Sequence, residues 1–110
     1  MEIPTEISFH GLPRSPSVEA SIQRWVARLE NLNGRIRSCH VFVEQPHRRQ
    51  RSCSDFEVHV HLDVPGMETG SRNHHEDIYV AVADAFRAVR RQLLDGTEMR
   101  TGRGRQQLHV

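Results

Sequence analysis

The chain of 110 residues contains no lysine, and all fifteen of its basic residues are arginine. Every cationic position therefore presents a planar, fork-shaped donor rather than a compact ammonium charge. Cysteine is nearly as scarce. Cys39 and Cys53 alone, without a Cys-x-x-Cys pair, exclude a disulfide framework and fit a reducing compartment. No stretch approaches the roughly 18 consecutive apolar residues that a membrane span needs. The N-terminus, Met1-Glu2-Ile3-Pro4-Thr5-Glu6, lacks a basic segment followed by an apolar run, which leaves no secretion signal and points to the cytoplasm. A Gly-x-Ser-x-Gly elbow, a Cys-His pair of recognisable spacing, a phosphate-cradling glycine loop and a dinucleotide fingerprint are all missing. Neither an enzyme, a cofactor nor a small-molecule substrate is expected.

What remains is a polar but globular composition, 36% hydrophobic and 26% charged, of a length that suits one domain around one core. The formal net charge of +1 conceals an asymmetry. Residues 1–86 carry nine arginines against twelve carboxylates, net −3, whereas residues 87–110 carry six arginines against Asp95 and Glu98, net +4.

Periodicity divides the chain into six elements. Residues 6–10 alternate polar and apolar and meet a turn at Gly11-Leu12-Pro13, which predicts a first strand. Ser15-Pro16 supplies a helix cap with proline at the first helical position. Val18, Ile22, Trp25, Val26, Leu29 and Leu32 then form an apolar stripe that ends near Asn33-Gly34. Cys39, Val41 and Val43 alternate with His40, Phe42 and Glu44 in a second strand, and a polar loop with Arg48, Arg49 and Arg51 follows. The third strand has the clearest period of two: Phe56, Val58, Val60, Leu62 and Val64 on one face, Glu57, His59, His61 and Asp63 on the other. After Pro65-Gly66, residues 67–72 predict a short fourth strand interrupted by Gly70. A second helix opens between Asn73 and Asp77 and buries Ile78, Tyr79, Val82, Ala85, Phe86, Val89 and Leu93, with Arg87, Arg90 and Arg91 on its outer arc. Trp25 and Tyr79 are expected in the core. Residues 96–110, rich in glycine and arginine, are expected to form a mobile basic tail beyond a domain of residues 1–95.

The order β-α-β-β-β-α predicts an α+β two-layer sandwich. Its four-stranded mixed sheet has the first two strands parallel, the rest antiparallel, and both helices on one face.

Three segments carry a family resemblance over roughly residues 5–95: Ile7-Ser8-Phe9-His10-Gly11, Ala27-Arg28-Leu29-Glu30 with Arg35-Ile36, and Glu76-Asp77-Ile78-Tyr79-Val80-Ala81-Val82 leading to Arg91-Gln92-Leu93. Together they resemble the ribosome hibernation-promoting factors and ribosome-associated translation inhibitors, the sigma-54 modulation or S30EA family, in its short form. The resemblance implies the same sandwich fold and a non-catalytic protein. Such a protein binds the small ribosomal subunit across its messenger and transfer-RNA sites, inhibiting translation and protecting idle ribosomes in stress or stationary phase. It implies contacts to 16S rRNA from basic helix faces, here Arg24, Arg28 and Arg35 along the first helix and Arg87, Arg90 and Arg91 on the second. The tail arginines Arg100, Arg103 and Arg105 would add to them. Taken singly, a helical arginine fits equally a solvated charge or an i,i+4 ion pair such as Arg91 with Asp95.

Eight histidines support a rival reading. His59-x-His61 places two imidazoles on one strand face, and His40 on the adjoining strand supplies a third nitrogen. With Asp63 or Glu57 these make a zinc-like donor set, or the same face binds a protein partner. His74 and His75, being consecutive, point apart.

Overall fold

A computed structural model describes residues 3–45 and 55–101. The elements are β1 (Thr5–His10), α1 (Pro16–Leu32), β2 (Ser38–Glu44), β3 (Phe56–Val64), β4 (Met67–His75) and α2 (Ile78–Thr101). The strands lie in the order β1-β2-β3-β4. β1 runs parallel to β2, with Ile7 opposite Val41, and β2, β3 and β4 pair antiparallel, with Val41 opposite Val60 and Val60 opposite Ser71.

Alternation along the strands separates the two faces of this sheet. Val41, Val43, Val58, Val60 and Leu62 point inward and are buried together with Ile22 and Leu29 of α1 and Val82, Phe86, Val89 and Leu93 of α2. Both helices therefore cover one face. Each helix starts where a side chain takes up backbone donors that the helix itself leaves free. The Ser15 hydroxyl accepts from the Val18 N–H at 3.3 Å, with Pro16 at the first turn. The Asp77 carboxylate accepts from the Tyr79 N–H at 2.9 Å, which fixes the start of α2 at Ile78. Gly11 turns the chain out of β1 at φ 80°, and a side chain there would meet the Gln45 carbonyl.

The structure departs from the sequence pattern in four places. β4 continues through Gly70 to His75 rather than stopping at Arg72. Gly70 sits on the open edge of the sheet, and the Gln92 side chain of α2 acts there as a surrogate strand: its Nε2 donates to the Gly70 carbonyl at 2.7 Å and its Oε1 accepts from the Gly70 N–H at 3.0 Å. Second, α2 runs through Gly96 to Thr101, past the expected boundary at Asp95-Gly96. The missing side chain at Gly96 leaves room for Met67 of β4, so this glycine serves helix-to-strand contact rather than termination. Third, Arg35 lies beyond α1, in the turn after Asn33, whose side chain accepts the Arg35 N–H at 2.7 Å. Fourth, Tyr79 is 45% exposed, and Trp25 is only partly buried at the edge of the core. Residues 102–110, with Arg103 and Arg105, and residues 46–54, with Cys53, lie outside the described residues.

Candidate nucleic-acid interface

Two long-range contacts set the relative position of the helices. The Ser17 hydroxyl and the Tyr79 phenol are 2.7 Å apart near the starts of α1 and α2. Further along, the Trp25 and Phe86 rings stack with centroids 5.9 Å apart and planes 11° from parallel. Eight residues separate the contacts on α1 and seven on α2, so the helices run side by side in the same direction. This is the direction that parallel outer strands β1 and β4 require of the helices joined to them. Tyr79 thus gives up its expected place in the core to tie the helix ends together.

The parallel register brings arginines of the two helices into one cleft. A cleft of about 360 Å³ opens between α1 and α2, lined by Trp25, Arg28, Leu29, Arg87 and Arg90. The Arg28 guanidinium lies over the Trp25 ring, 4.7 Å from its centroid, and that of Arg87 lies 5.9 Å from the same centroid. The indole holds two cations near one another, each attracted to its electron-rich face. Arg87 also reaches Asp84 one helical turn back, at 3.4 Å. Among the described residues no carboxylate pairs with Arg24, Arg28, Arg90 or Arg91, and the i,i+4 pair of Arg91 with Asp95 is not formed. Arg24 and Arg91 are exposed on the flanking turns, outside the cleft lining. Arg35 stands apart in its turn, and the Arg100 side chain lies outside the description. Of the expected arginines, then, Arg28, Arg87 and Arg90 meet, Arg24 and Arg91 are exposed outside the cleft, and Arg35 does not join.

Trp25 is the residue that the sequence pattern did not assign to this site. Its signal was its position in Arg24-Trp25-Val26-Ala27-Arg28, an aromatic at the edge of the apolar stripe with an arginine one turn ahead. The helical period alone leaves open whether such an edge residue faces the core or a groove.

The opposite face of the sheet has the other sign. Among the described residues of the strands, Glu6, Glu44, Glu57, Asp63 and Glu68 project there, together with His10, His40, His59, His61, His74 and a single arginine, Arg72. Five of the twelve acids of residues 1–86 are thereby turned away from the helices, while Glu19, Glu30 and Asp84 lie on them. Several of these groups pair across strands: His40 Nδ1 with Glu6 at 3.2 Å, Arg72 with Glu57 at 3.1 Å, and His74 Nδ1 with Asp55 at 3.1 Å. The His59 ring leans against Phe42, with centroids 5.9 Å apart. His40, His59 and His61 therefore do not form the metal centre of the rival reading. His40 is turned to Glu6 and His59 to Phe42, and among the described residues no three His, Cys, Asp or Glu side chains converge as metal ligands.

Cys39 is fully buried at an inward position of β2, and burial pushes its thiol up to about 12. It behaves as a small apolar core residue, without a reactive thiolate. Among the described residues no helix is long and apolar enough to cross a membrane.

Comparison with solved structures finds the same architecture elsewhere. A ribosomal subunit interface protein from Coxiella burnetii superposes with a TM-score of 0.75 at 14% identity, covering 87% of this chain and 99% of that one. The N-terminal domain of Protein Y from Thermus thermophilus superposes with a TM-score of 0.68 at 16% identity, covering 84% of this chain and 94% of that one. At such identities the likeness is one of fold. No match is found among curated proteins. The family described as Sigma 54 modulation protein / S30EA ribosomal protein matches residues 5–100, from the first strand through nearly all of the last helix. With the β-α-β-β-β-α topology built and the match spanning every element of it, the chain belongs to the Sigma 54 modulation protein / S30EA ribosomal protein family.

Proposed function

We propose that this chain is a non-catalytic, cytoplasmic ribosome-associated factor. It binds the small ribosomal subunit at the messenger and transfer-RNA sites through 16S rRNA, and so inhibits translation and protects idle ribosomes under stress or in stationary phase. The observation that carries the reading is the meeting of Arg28, Arg87 and Arg90 in one cleft between parallel helices, with Arg24 and Arg91 exposed elsewhere on the same helices. Guanidinium groups suit phosphate because their forked donors match two oxygens at once, and phosphate contacts dominate affinity for nucleic acid. Membership of the family supports the reading, as does the likeness in fold to a protein described as a ribosomal subunit interface protein. The separation of charge adds to it: the acids of the sheet face point away from the arginine-lined cleft, which no carboxylate among the described residues lines.

Sedimentation of the purified protein with small ribosomal subunits tests this directly. The wild-type protein is expected to travel with the subunit at low salt and to be released as salt rises. Arg87→Glu combined with Arg91→Glu should abolish co-sedimentation while the fold is retained, with a loss of about 1 kcal/mol from the Arg87 contacts to Asp84 and Trp25, because both side chains are exposed. Wild-type protein that stays at the top of a low-salt gradient refutes the proposal.

A further inference from the structure

The cleft between α1 and α2 holds more than phosphate contact requires. A purely electrostatic surface needs only spread cations, whereas here a partly buried indole and a buried Leu29 form an apolar floor beneath three guanidinium groups. The Trp25 ring is held from behind by its stack on Phe86, and the Arg28 guanidinium lies over it, 4.7 Å from the centroid. At about 360 Å³ the cleft falls at the lower end of the range of about 300–1,000 Å³ typical of small-ligand sites, and it is far too small for a duplex. Unpaired RNA bases are recognised by stacking on aromatic rings and on arginine planes.

We propose that this cleft is a subsite for a single unpaired nucleotide of RNA. The base lies against the layer formed by Trp25 and Arg28, and the adjoining phosphate is taken between Arg87 and Arg90. The inference rests on the reading of the arginine face as RNA-binding and narrows it, from RNA in general to a nucleotide freed from pairing. Arg87, drawn toward Asp84 and the indole together, is already oriented over the cleft before any ligand enters. Arg90 has no such tether among the described residues and is free to close on the phosphate.

Trp25 is the sole tryptophan of the chain, so its emission reports on this site alone. The full-length protein is titrated with a single-stranded oligoribonucleotide of about six nucleotides, within the length of about 4–16 that comparable single-strand sites occupy. The same strand annealed into a duplex, and inorganic pyrophosphate, serve as the other two probes. Saturable quenching by the single strand is expected, with the duplex and pyrophosphate binding more weakly and leaving the emission largely unchanged. Arg28→Gln, which leaves the core intact, should weaken single-strand binding about tenfold, the scale of one lost stacking contact. Trp25→Phe keeps a ring against Phe86 and, followed by anisotropy of a labelled strand, should bind more weakly than wild type. Equal affinity for strand and duplex, equal quenching by pyrophosphate, or unchanged emission when anisotropy shows the strand to be bound would each overturn the subsite. Co-sedimentation with small subunits, run in parallel, separates the two proposals. Protein that binds subunits without quenching by the single strand loses the subsite and keeps the ribosome reading. Quenching without subunit binding does the reverse.

Discussion

Replacing Arg28 and Arg90 together by glutamine removes two of the three guanidinium groups that line the inter-helix cleft and keeps polar side chains in their place. Each phosphate neutralised on single-stranded nucleic acid contributes about −0.7 to the slope of log affinity against log salt. Contacts to phosphate from Arg87 and Arg90 give the wild-type cleft a slope of about −1.4, and Arg87 alone leaves about −0.7. A threefold rise in salt should then weaken the wild-type complex about fivefold and the variant only about twofold. The fold should survive. Arg28 gives up an exposed cation–π contact with Trp25 of about 0.5–1 kcal/mol, and Arg90 is exposed and unpaired among the described residues. A loss of about 1 kcal/mol corresponds to about 4–8 °C in Tm for a domain of this size. The assay is equilibrium binding to purified small subunits over a series of salt concentrations, with thermal melts of both proteins. Weaker binding with an unchanged slope would refute the reasoning, since it would mean that Arg90 acts on something other than phosphate.

Three further outcomes follow from the geometry. Asp77→Ala removes the acceptor for the first N–H groups of α2 and should cost about 1 kcal/mol in urea denaturation, whereas Asp77→Asn should restore most of it. Phe86→Ala empties the largest fully buried side chain and removes the ring behind Trp25. A loss of about 3–5 kcal/mol and a red-shifted tryptophan emission are expected, and a small loss would place Phe86 outside the core. Cys39 ionises near 9 in the unfolded chain and near 12 in the folded one. Between those values the folded chain keeps a proton that the unfolded chain has lost, so this thiol's contribution to stability falls as pH rises through that window. The Cys39→Ala variant should show a shallower alkaline decline in its melts, and in native wild-type protein Cys39 should resist alkylation until unfolding.

The arrangement of charge reconciles a nearly neutral chain with a nucleic-acid surface. Net charge governs solubility and long-range steering, but a ligand responds to the face that it meets. The strand period of two sends Glu57 and Asp63 to one side of the sheet and Val58, Val60 and Leu62 to the other, under the helices. Arginines on the outer arcs of those helices then stand a full layer away from these two carboxylates, although Arg87 keeps Asp84 beside it on its own helix. A protein of +1 formal charge can in this way present a cationic face and an anionic one.

Much of this molecule follows from its sequence alone. The order of elements, the faces of β2 and β3, the cap at Ser15 and the core stripe of α2 from Val82 to Leu93 all depend on interactions within a few residues, where a period of two or of 3.6 is a sufficient signal. Tertiary structure decided the rest. β4 extends through Gly70 because Gln92, 22 residues away, satisfies its edge. α2 continues through Gly96 because Met67 fills the space beside it. Trp25 and Tyr79 share the apolar character of the core, and only the lateral fit of α1 against α2 places one as the floor of a cleft and the other as an exposed tie to Ser17. The same fit selects Arg28, Arg87 and Arg90 from the six arginines that the sequence places on or beside the helices. Which side chains meet across two helices depends on their direction and register, and these are set by the strands beneath rather than by the period of either helix.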